Sequence, residues 1–172
     1  MENFVVEVGM KLDKNLNYYK KQLNRNGLKQ IFKCTTHDIY FTKEKSFDGF
    51  SENQIKRSCI RIRNPQKKED KLKIENLLKE GYRKVFDTIK KDYHYQSKDM
   101  KSRIQLQIIK KIGLVVYYDN PDYYNFSLDK QRKLLLKELN SYGFSFNTNE
   151  LGIDKLRTLC YGKEMFSKNQ NG

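Results

Sequence analysis

The chain has 172 residues, and its 35 Lys and Arg against 21 Asp and Glu give a formal net charge of +14. This length is typical of one domain, or of a domain with a small appendage, and two full hydrophobic cores are not expected. Only 37% of the residues are hydrophobic, but 12 Tyr and 10 Phe can still fill a core, so a disordered chain is not expected. The charge favours anionic partners such as nucleic acid, nucleotides or polyphosphate.

Targeting and redox signals are absent from the sequence. No run approaches the roughly 18 apolar residues of a membrane span, and the N-terminus lacks the basic start and apolar run of a secretory signal. The 3 cysteines are odd in number and widely spaced, which predicts neither a disulfide framework nor a zinc cluster. We therefore expect a cytoplasmic protein with no membrane partner, of undetermined oligomeric state.

Hydrophobic periodicity predicts the elements in chain order. A first strand covers residues 4–12, and a helix follows over 14–26, with Asp13 as its N-cap and Gly27 as its stop. The next predicted elements are strands at 33–43 and 58–63, a helix at 67–80, one or two strands within 82–95, strands from Lys101 to Ile108 and at 114–119, and helices at 129–142 and 153–160.

These elements predict an α+β fold with an antiparallel sheet of six to eight strands and three or four helices. We assign residues 1–166 to a single domain and expect the tail at 167–172 to be frayed.

Three of the predicted strands carry an apolar face opposite a charged face. Alternation alone predicts such faces wherever one side of a sheet meets solvent. However, Arg61 and Arg63 are about 7 Å apart along one strand face, which suits successive phosphates, and arginine forks bind phosphate oxygens in pairs. The charged residues on these faces are Glu7, Lys11, Arg61, Arg63, Lys101 and Arg103.

Four segments resemble, in order, the motifs of one family. Residues 7–11 (Glu-Val-Gly-Met-Lys) resemble a Glu-x-Glu-x-Lys signature, and 37–41 resemble an Asp-x-Tyr-Phe strand. Residues 59–63 resemble a Leu-Arg-Ile-Arg strand, and 101–103 a Lys-x-Arg strand, for which 91–93 are a rival alignment. These motifs are similar to those of the CYTH superfamily, the triphosphate tunnel metalloenzymes, which include class IV adenylyl cyclases and thiamine triphosphatases.

The resemblance implies an antiparallel β-barrel or tunnel whose lumen binds triphosphate through basic residues, while acidic residues hold Mg²⁺ or Mn²⁺. It also implies that an active protein would be a metal-dependent triphosphatase or a nucleotidyl cyclase. The residues implied are Lys11, Arg61, Arg63, Lys101 and Arg103 for phosphate, Glu7, Asp119 and Asp129 for the metal, and Glu7 and Lys11 for catalysis.

Two departures from the family pattern concern the metal. Gly9 stands where the second signature Glu would be, and only Asp129 is acidic where another Glu-x-Glu is expected. Since Mg²⁺ is commonly held by one or two carboxylates together with substrate phosphates, metal binding stays open. Phosphate binding is therefore better supported than phosphate cleavage. The alternatives are a non-catalytic RNA- or nucleotide-binding module and a basic scaffold whose charge reflects coding bias.

Overall fold

The computed structural model describes residues 7–45, 54, 57–65 and 67–146. Within these residues the chain forms a six-stranded antiparallel sheet and three α-helices, which confirms the predicted α+β class. None of the described helices has the length and apolar character that a membrane crossing requires. The predicted helix at 153–160 and the tail at 167–172 lie outside the described residues.

The sheet contains every described strand in the order β1-β6-β5-β4-β2-β3. Among the described residues β1 and β3 are its two edges, so the sheet is not closed. The strands are β1 (Val8–Lys11), β2 (Lys29–Thr42), β3 (Cys59–Arg63), β4 (Arg83–Gln96), β5 (Arg103–Ile109) and β6 (Gly113–Asp119). The helices are α1 (Leu16–Arg25), α2 (Lys68–Lys79) and α3 (Leu128–Ser141), and Pro121–Tyr123 forms a 3-10 turn.

Two predicted boundaries were wrong, for different reasons. Helix α1 is capped by Asn15, whose side chain accepts a hydrogen bond from the Tyr18 backbone N–H at 3.0 Å. The predicted cap, Asp13, instead accepts hydrogen bonds from the hydroxyls of Tyr19 and Ser145. The Asp13 carboxylate is thus engaged in a tertiary contact and does not cap the helix, although Asp is a favoured N-cap residue.

Strand β5 begins two residues later than predicted. The backbone N–H of Ser97 bonds to the carbonyl of Ser102 at 3.1 Å, and Met100 has a positive φ of 62°. This closes a turn that contains Lys101, so the strand starts at Arg103.

The described residues divide into two compact units. Residues from Thr35 to Lys90 form the second unit, and the rest form the first unit, so the long strands β2 and β4 each contribute to both. The core of the first unit is built from β1, β4, β5, β6, α1 and α3. That of the second is smaller: Ile39, Phe41 and Ile62, with Ile74, Leu77 and Tyr82 packed against them.

Strand alternation confirms the predicted two-faced strands. In β5, Ile104 and Leu106 belong to the first core, so Gln105 and Gln107 lie on the opposite face. In β3, Ile62 belongs to the second core, which places its two arginines on the other side. We call the face opposite each core the first and the second polar face.

Candidate phosphate and metal sites

One cavity of about 160 Å³ lies in the first unit. Strand pairing explains its composition, because β6 lies between β1 and β5 and its Asp119 is the cross-strand partner of Arg103. The structure therefore brings together three of the residues that the family resemblance assigned to metal or phosphate: Glu7, Arg103 and Asp119. The lining residues are Glu7, Ile31, His94, Tyr95, Arg103, Ile104, Gln105, Tyr117 and Asp119.

The carboxylate of Asp119 is oriented by a neighbouring tyrosine. The Tyr124 hydroxyl donates to Asp119 Oδ2 at 2.7 Å. Burial, this hydrogen bond and the nearby negative charges raise the pKa of Tyr124 to about 12, although Arg103 opposes the shift. The hydroxyl consequently keeps its proton at neutral pH and continues to hold the carboxylate.

The donor set of this cavity fits a divalent cation of the Mg²⁺ type. Glu7 and Asp119 supply two carboxylates, which is the number such an ion commonly takes from protein when phosphates complete its coordination. Gly9, opposite Tyr117 in the β1–β6 pair, adds no carboxylate. Across the described residues there is no group of three or more His, Cys, Asp or Glu placed to hold a metal. Any further oxygen ligand from the described residues would therefore be a neutral one.

Three other predicted site residues of the first unit do not line this cavity. Lys11 ends β1 opposite Val115 and is half-buried. Lys101 lies in the turn before β5, where its amine is 3.0 Å from the Asp122 carboxylate, and this hydrogen bond raises the pKa of Lys101. Asp129 is exposed in the first turn of α3.

The second polar face contains Arg61 and Arg63. Arg63 lies opposite Asp38 in the β2–β3 pair, and its guanidinium donates from Nε at 2.9 Å and from Nη2 at 3.3 Å to the Asp38 carboxylate. The amine of Lys90 donates to the same carboxylate at 2.5 Å. Asp38 is fully buried and Lys90 is only 4% exposed. Asp38 and Lys90 thus form a buried ion pair, to which the half-exposed Arg63 adds a second cation.

The protonation of Asp38 follows from two opposing effects. Burial by itself raises the pKa of Asp38, but the hydrogen bonds and positive charges of Arg63 and Lys90 outweigh burial, so the net pKa is lowered. Asp38 therefore stays ionised and offsets one of three cations on this face. Arg61, the third cation, is exposed and forms no ion pair with a carboxylate of the described chain.

A cleft of about 450 Å³ adjoins the two arginines, between β3 and α2. Its basic residues outnumber its acidic residues by three to two, and three apolar residues also line it. The lining residues are Ile60, Arg61, Ile62, Arg63, Asp70, Lys73, Asn76, Leu77 and Glu80.

Sequence reasoning missed several buried polar residues on these faces. Asp38 lies inside the quoted 37–41 motif, and Lys90 directly precedes the 91–93 alternative, so both were close to segments already singled out. Asp92 was also missed, as were the amides that bind it, Gln105 and Gln107. The alternation of side chains along β4 could have revealed Asp92. Because Tyr93 and Tyr95 face the core, Asp92 must lie on the opposite, polar face.

No family model and no curated protein sequence matches the chain. Among solved structures, it is similar to a protein from Vibrio parahaemolyticus provisionally identified as an adenylate cyclase, with a TM-score of 0.56 and 12% identity over 84% of this chain and 91% of that one.

A second provisional adenylate cyclase, from Bacillus halodurans, has a TM-score of 0.54 and 12% identity over 89% of this chain and 97% of that one. The PH1819 protein from Pyrococcus horikoshii OT3 has a TM-score of 0.55 and 17% identity over 90% and 99%. At these identities the likeness shows a shared fold alone, and that fold is consistent with the CYTH-like fold expected from the sequence.

Proposed function

We propose that the second polar face binds the phosphates of a triphosphate or another polyphosphorylated ligand. The supporting observation is the excess of cations there: in the described part of the second unit, Arg61, Arg63 and Lys90 lie on this face with the Asp38 carboxylate. Because Asp38 already engages Arg63 and Lys90, Arg61 is the cation whose donors are best placed to meet a ligand. Its guanidinium suits the paired oxygens of a phosphate group.

The fold adds support of a coarser kind. Two of the similar structures are provisionally identified as adenylate cyclases, a class of enzyme that acts on a nucleoside triphosphate. We propose on this basis that the chain is a divergent CYTH-like protein.

We propose separately that the first unit binds a divalent metal ion, Mg²⁺ or Mn²⁺. Glu7 and Asp119 are the residues proposed to hold it, and Arg103 is the cation beside them. When bound, such an ion neutralises charge on phosphate oxygens. Since Gly9 leaves this set one carboxylate short of the family signature, binding is the function we propose, and metal-dependent hydrolysis is an activity to be assayed once binding is established.

Calorimetric titration with tripolyphosphate, in the absence of metal and at moderate salt, tests the phosphate site. Arg61→Met should weaken binding about tenfold or more, because it removes charge-assisted hydrogen bonds. The matched control is Arg132→Met, which removes an exposed arginine from α3 in the first unit and should leave the affinity within about twofold. Equal losses in the two variants, or none in Arg61→Met, would contradict the proposed site.

A second candidate function is a non-catalytic RNA- or nucleotide-binding module. The observation that favours it is Phe32, which is 54% exposed and has its ring 5.5 Å from that of His94, so the pair offers a surface for base stacking. RNA binding of this kind should weaken linearly in log affinity with log salt. It should also weaken in Phe32→Ser, whereas tripolyphosphate affinity should not change in that variant.

A further inference from the structure

A buried carboxylate on the first polar face is bound by two side-chain amides. Asp92, in β4, is 4% exposed and lies on the opposite side of the strand from Tyr93 and Tyr95. Its Oδ1 accepts hydrogen bonds from Nε2 of Gln105, at 2.9 Å, and from Nε2 of Gln107. Both glutamines belong to β5, two residues apart on the same face.

This contact determines which way each amide points. A carboxylate oxygen only accepts hydrogen bonds, so each glutamine must turn its NH₂ group towards Asp92 and its Oε1 away from it. The orientation of an amide is ordinarily ambiguous, but here the partner removes the ambiguity. Each glutamine therefore presents an acceptor oxygen on the side away from Asp92.

The two glutamines differ in what that oxygen can reach. Gln105 lines the cavity that also contains Glu7 and Asp119, whereas Gln107 does not line it and is 6% exposed. Apart from the bond to Asp92, the Gln105 side chain makes no hydrogen bond within the described part of the chain. Its oxygen is thus an acceptor beside a cavity that Glu7 and Asp119 also line.

We propose that Asp92 is a positioning residue, which orients Gln105 so that its Oε1 serves, with Glu7 and Asp119, as the third protein oxygen for a divalent cation. The inference rests on the proposed function, because it deepens the metal site assigned there. Amide oxygens are established ligands of hard cations such as Mg²⁺ and Mn²⁺. A neutral oxygen from β5 would thereby compensate in part for the carboxylate that Gly9 lacks.

The charge of this set has a consequence for affinity. Two carboxylates, a neutral amide and the nearby Arg103 leave a small negative charge, and affinity for such cations rises with the number of charged ligands. The free ion should therefore bind weakly and in a saturable manner.

The test is Mn²⁺ titration of the metal-free protein without any phosphate ligand, followed by the electron paramagnetic resonance signal of free Mn²⁺. Gln105→Met should weaken Mn²⁺ binding about tenfold, since losing an oxygen ligand or its support costs 10-fold or more. Gln107→Met is the matched control, because it removes a bond to the same Asp92 oxygen without touching the cavity, and it should stay within about twofold of wild type. Thermal melting of each variant verifies that it is folded.

A third variant tests the positioning role. Asp92→Asn can donate as well as accept, so the Gln105 amide is no longer held in one orientation, and Mn²⁺ binding should weaken by less than in Gln105→Met. If Gln105→Met fails to fold, Gln105→Asn replaces it, because the shorter side chain keeps the amide but withdraws the oxygen from the cavity.

Three results would overturn the inference: no saturable Mn²⁺ binding by the wild type, unchanged binding in the Gln105 variant, or an equal loss in Gln107→Met. None of these bears on tripolyphosphate binding through Arg61, which is measured without metal. Failure of the metal ligand and failure of the phosphate site are therefore distinguishable.

Discussion

The two units present polar faces of opposite electrostatic character. On the second polar face, Arg61, Arg63 and Lys90 share one carboxylate, Asp38. On the first polar face, carboxylates outnumber cations: Glu7, Asp92 and Asp119 against Lys11 and Arg103. The net charge of +14 is thus unevenly distributed, and it does not indicate by itself where an anion binds. This contrast is the reason why we propose phosphate binding for the face with excess cations and metal binding for the face with excess carboxylates.

The largest expected effect concerns the buried ion network of the second unit. Asp38→Asn leaves Lys90 buried beside a neutral partner, which should lower the free energy of unfolding by about 3–5 kcal/mol. Urea denaturation at pH 7 measures the change. Asp122→Asn is the control, since its pair with Lys101 is exposed on both sides and should cost at most about 1 kcal/mol. A loss below about 1 kcal/mol in Asp38→Asn would show that the network does not organise the second polar face.

An intermediate effect is expected in the first unit, at a carboxylate on the core side of its sheet. Glu138, in α3, accepts hydrogen bonds from the hydroxyls of Tyr123 and Tyr142, both at 2.9 Å, and from the Asn120 amide at 3.1 Å. Burial raises the pKa of Glu138, but the hydrogen bonds from Tyr118, Tyr123, Asn120 and Tyr142 together lower it below the usual value of 4.5.

Since the folded pKa of Glu138 is the lower one, its stabilising contribution is complete above pH 4.5 and is lost as pH falls through the folded value. Glu138→Gln should cost about 2 kcal/mol at pH 7 and should flatten the loss of stability on acidification. Urea denaturation from pH 7 down to pH 3 measures both effects, with Glu75→Gln on the exposed side of α2 as the control. An unaltered pH profile in Glu138→Gln would be inconsistent with this account.

The smallest effect tests the acidic character of the first polar face. Tyr124→Phe removes the hydroxyl that donates to Asp119 at 2.7 Å, so the carboxylate is less firmly oriented and Mn²⁺ binding should weaken about threefold. Mn²⁺ titration measures the change, and Tyr18→Phe, at an exposed ring in α1, is the control. If the Tyr124 and Tyr18 variants bind Mn²⁺ equally well, the hydroxyl does not support a metal site.

Local patterns in the sequence were sufficient for the elements and their faces. Alternation of period two is a property of consecutive residues, so the faces of β3 and β5 could be assigned without knowing their neighbours. The apolar runs and the glycine near residue 143 likewise predicted α3 to within two residues at either end. Boundaries were less predictable where a residue had a distant partner, as Asp13 has in Ser145.

Whether the predicted site residues come together depends on which strands become neighbours. The motifs placed Glu7, Arg103 and Asp119 in one proposed site, and the pairing of β1, β6 and β5 brings them to one cavity. Asp129, proposed for the same site, lies in the first turn of α3 and outside the cavity lining. A motif specifies residue types, but only strand pairing and helix position decide which of them meet.

The amino-acid sequence by itself determined the α+β class, the two-faced strands and the excess of positive charge, because these follow from composition and from contacts between near neighbours. Only the tertiary structure decided that Asp38 lies between Arg63 and Lys90, and that Asp92 holds Gln105 and Gln107. Those contacts join residues 13 to 52 positions apart. Each depends on strand order and register, which arise from the whole sheet and leave no signature in any short stretch of sequence.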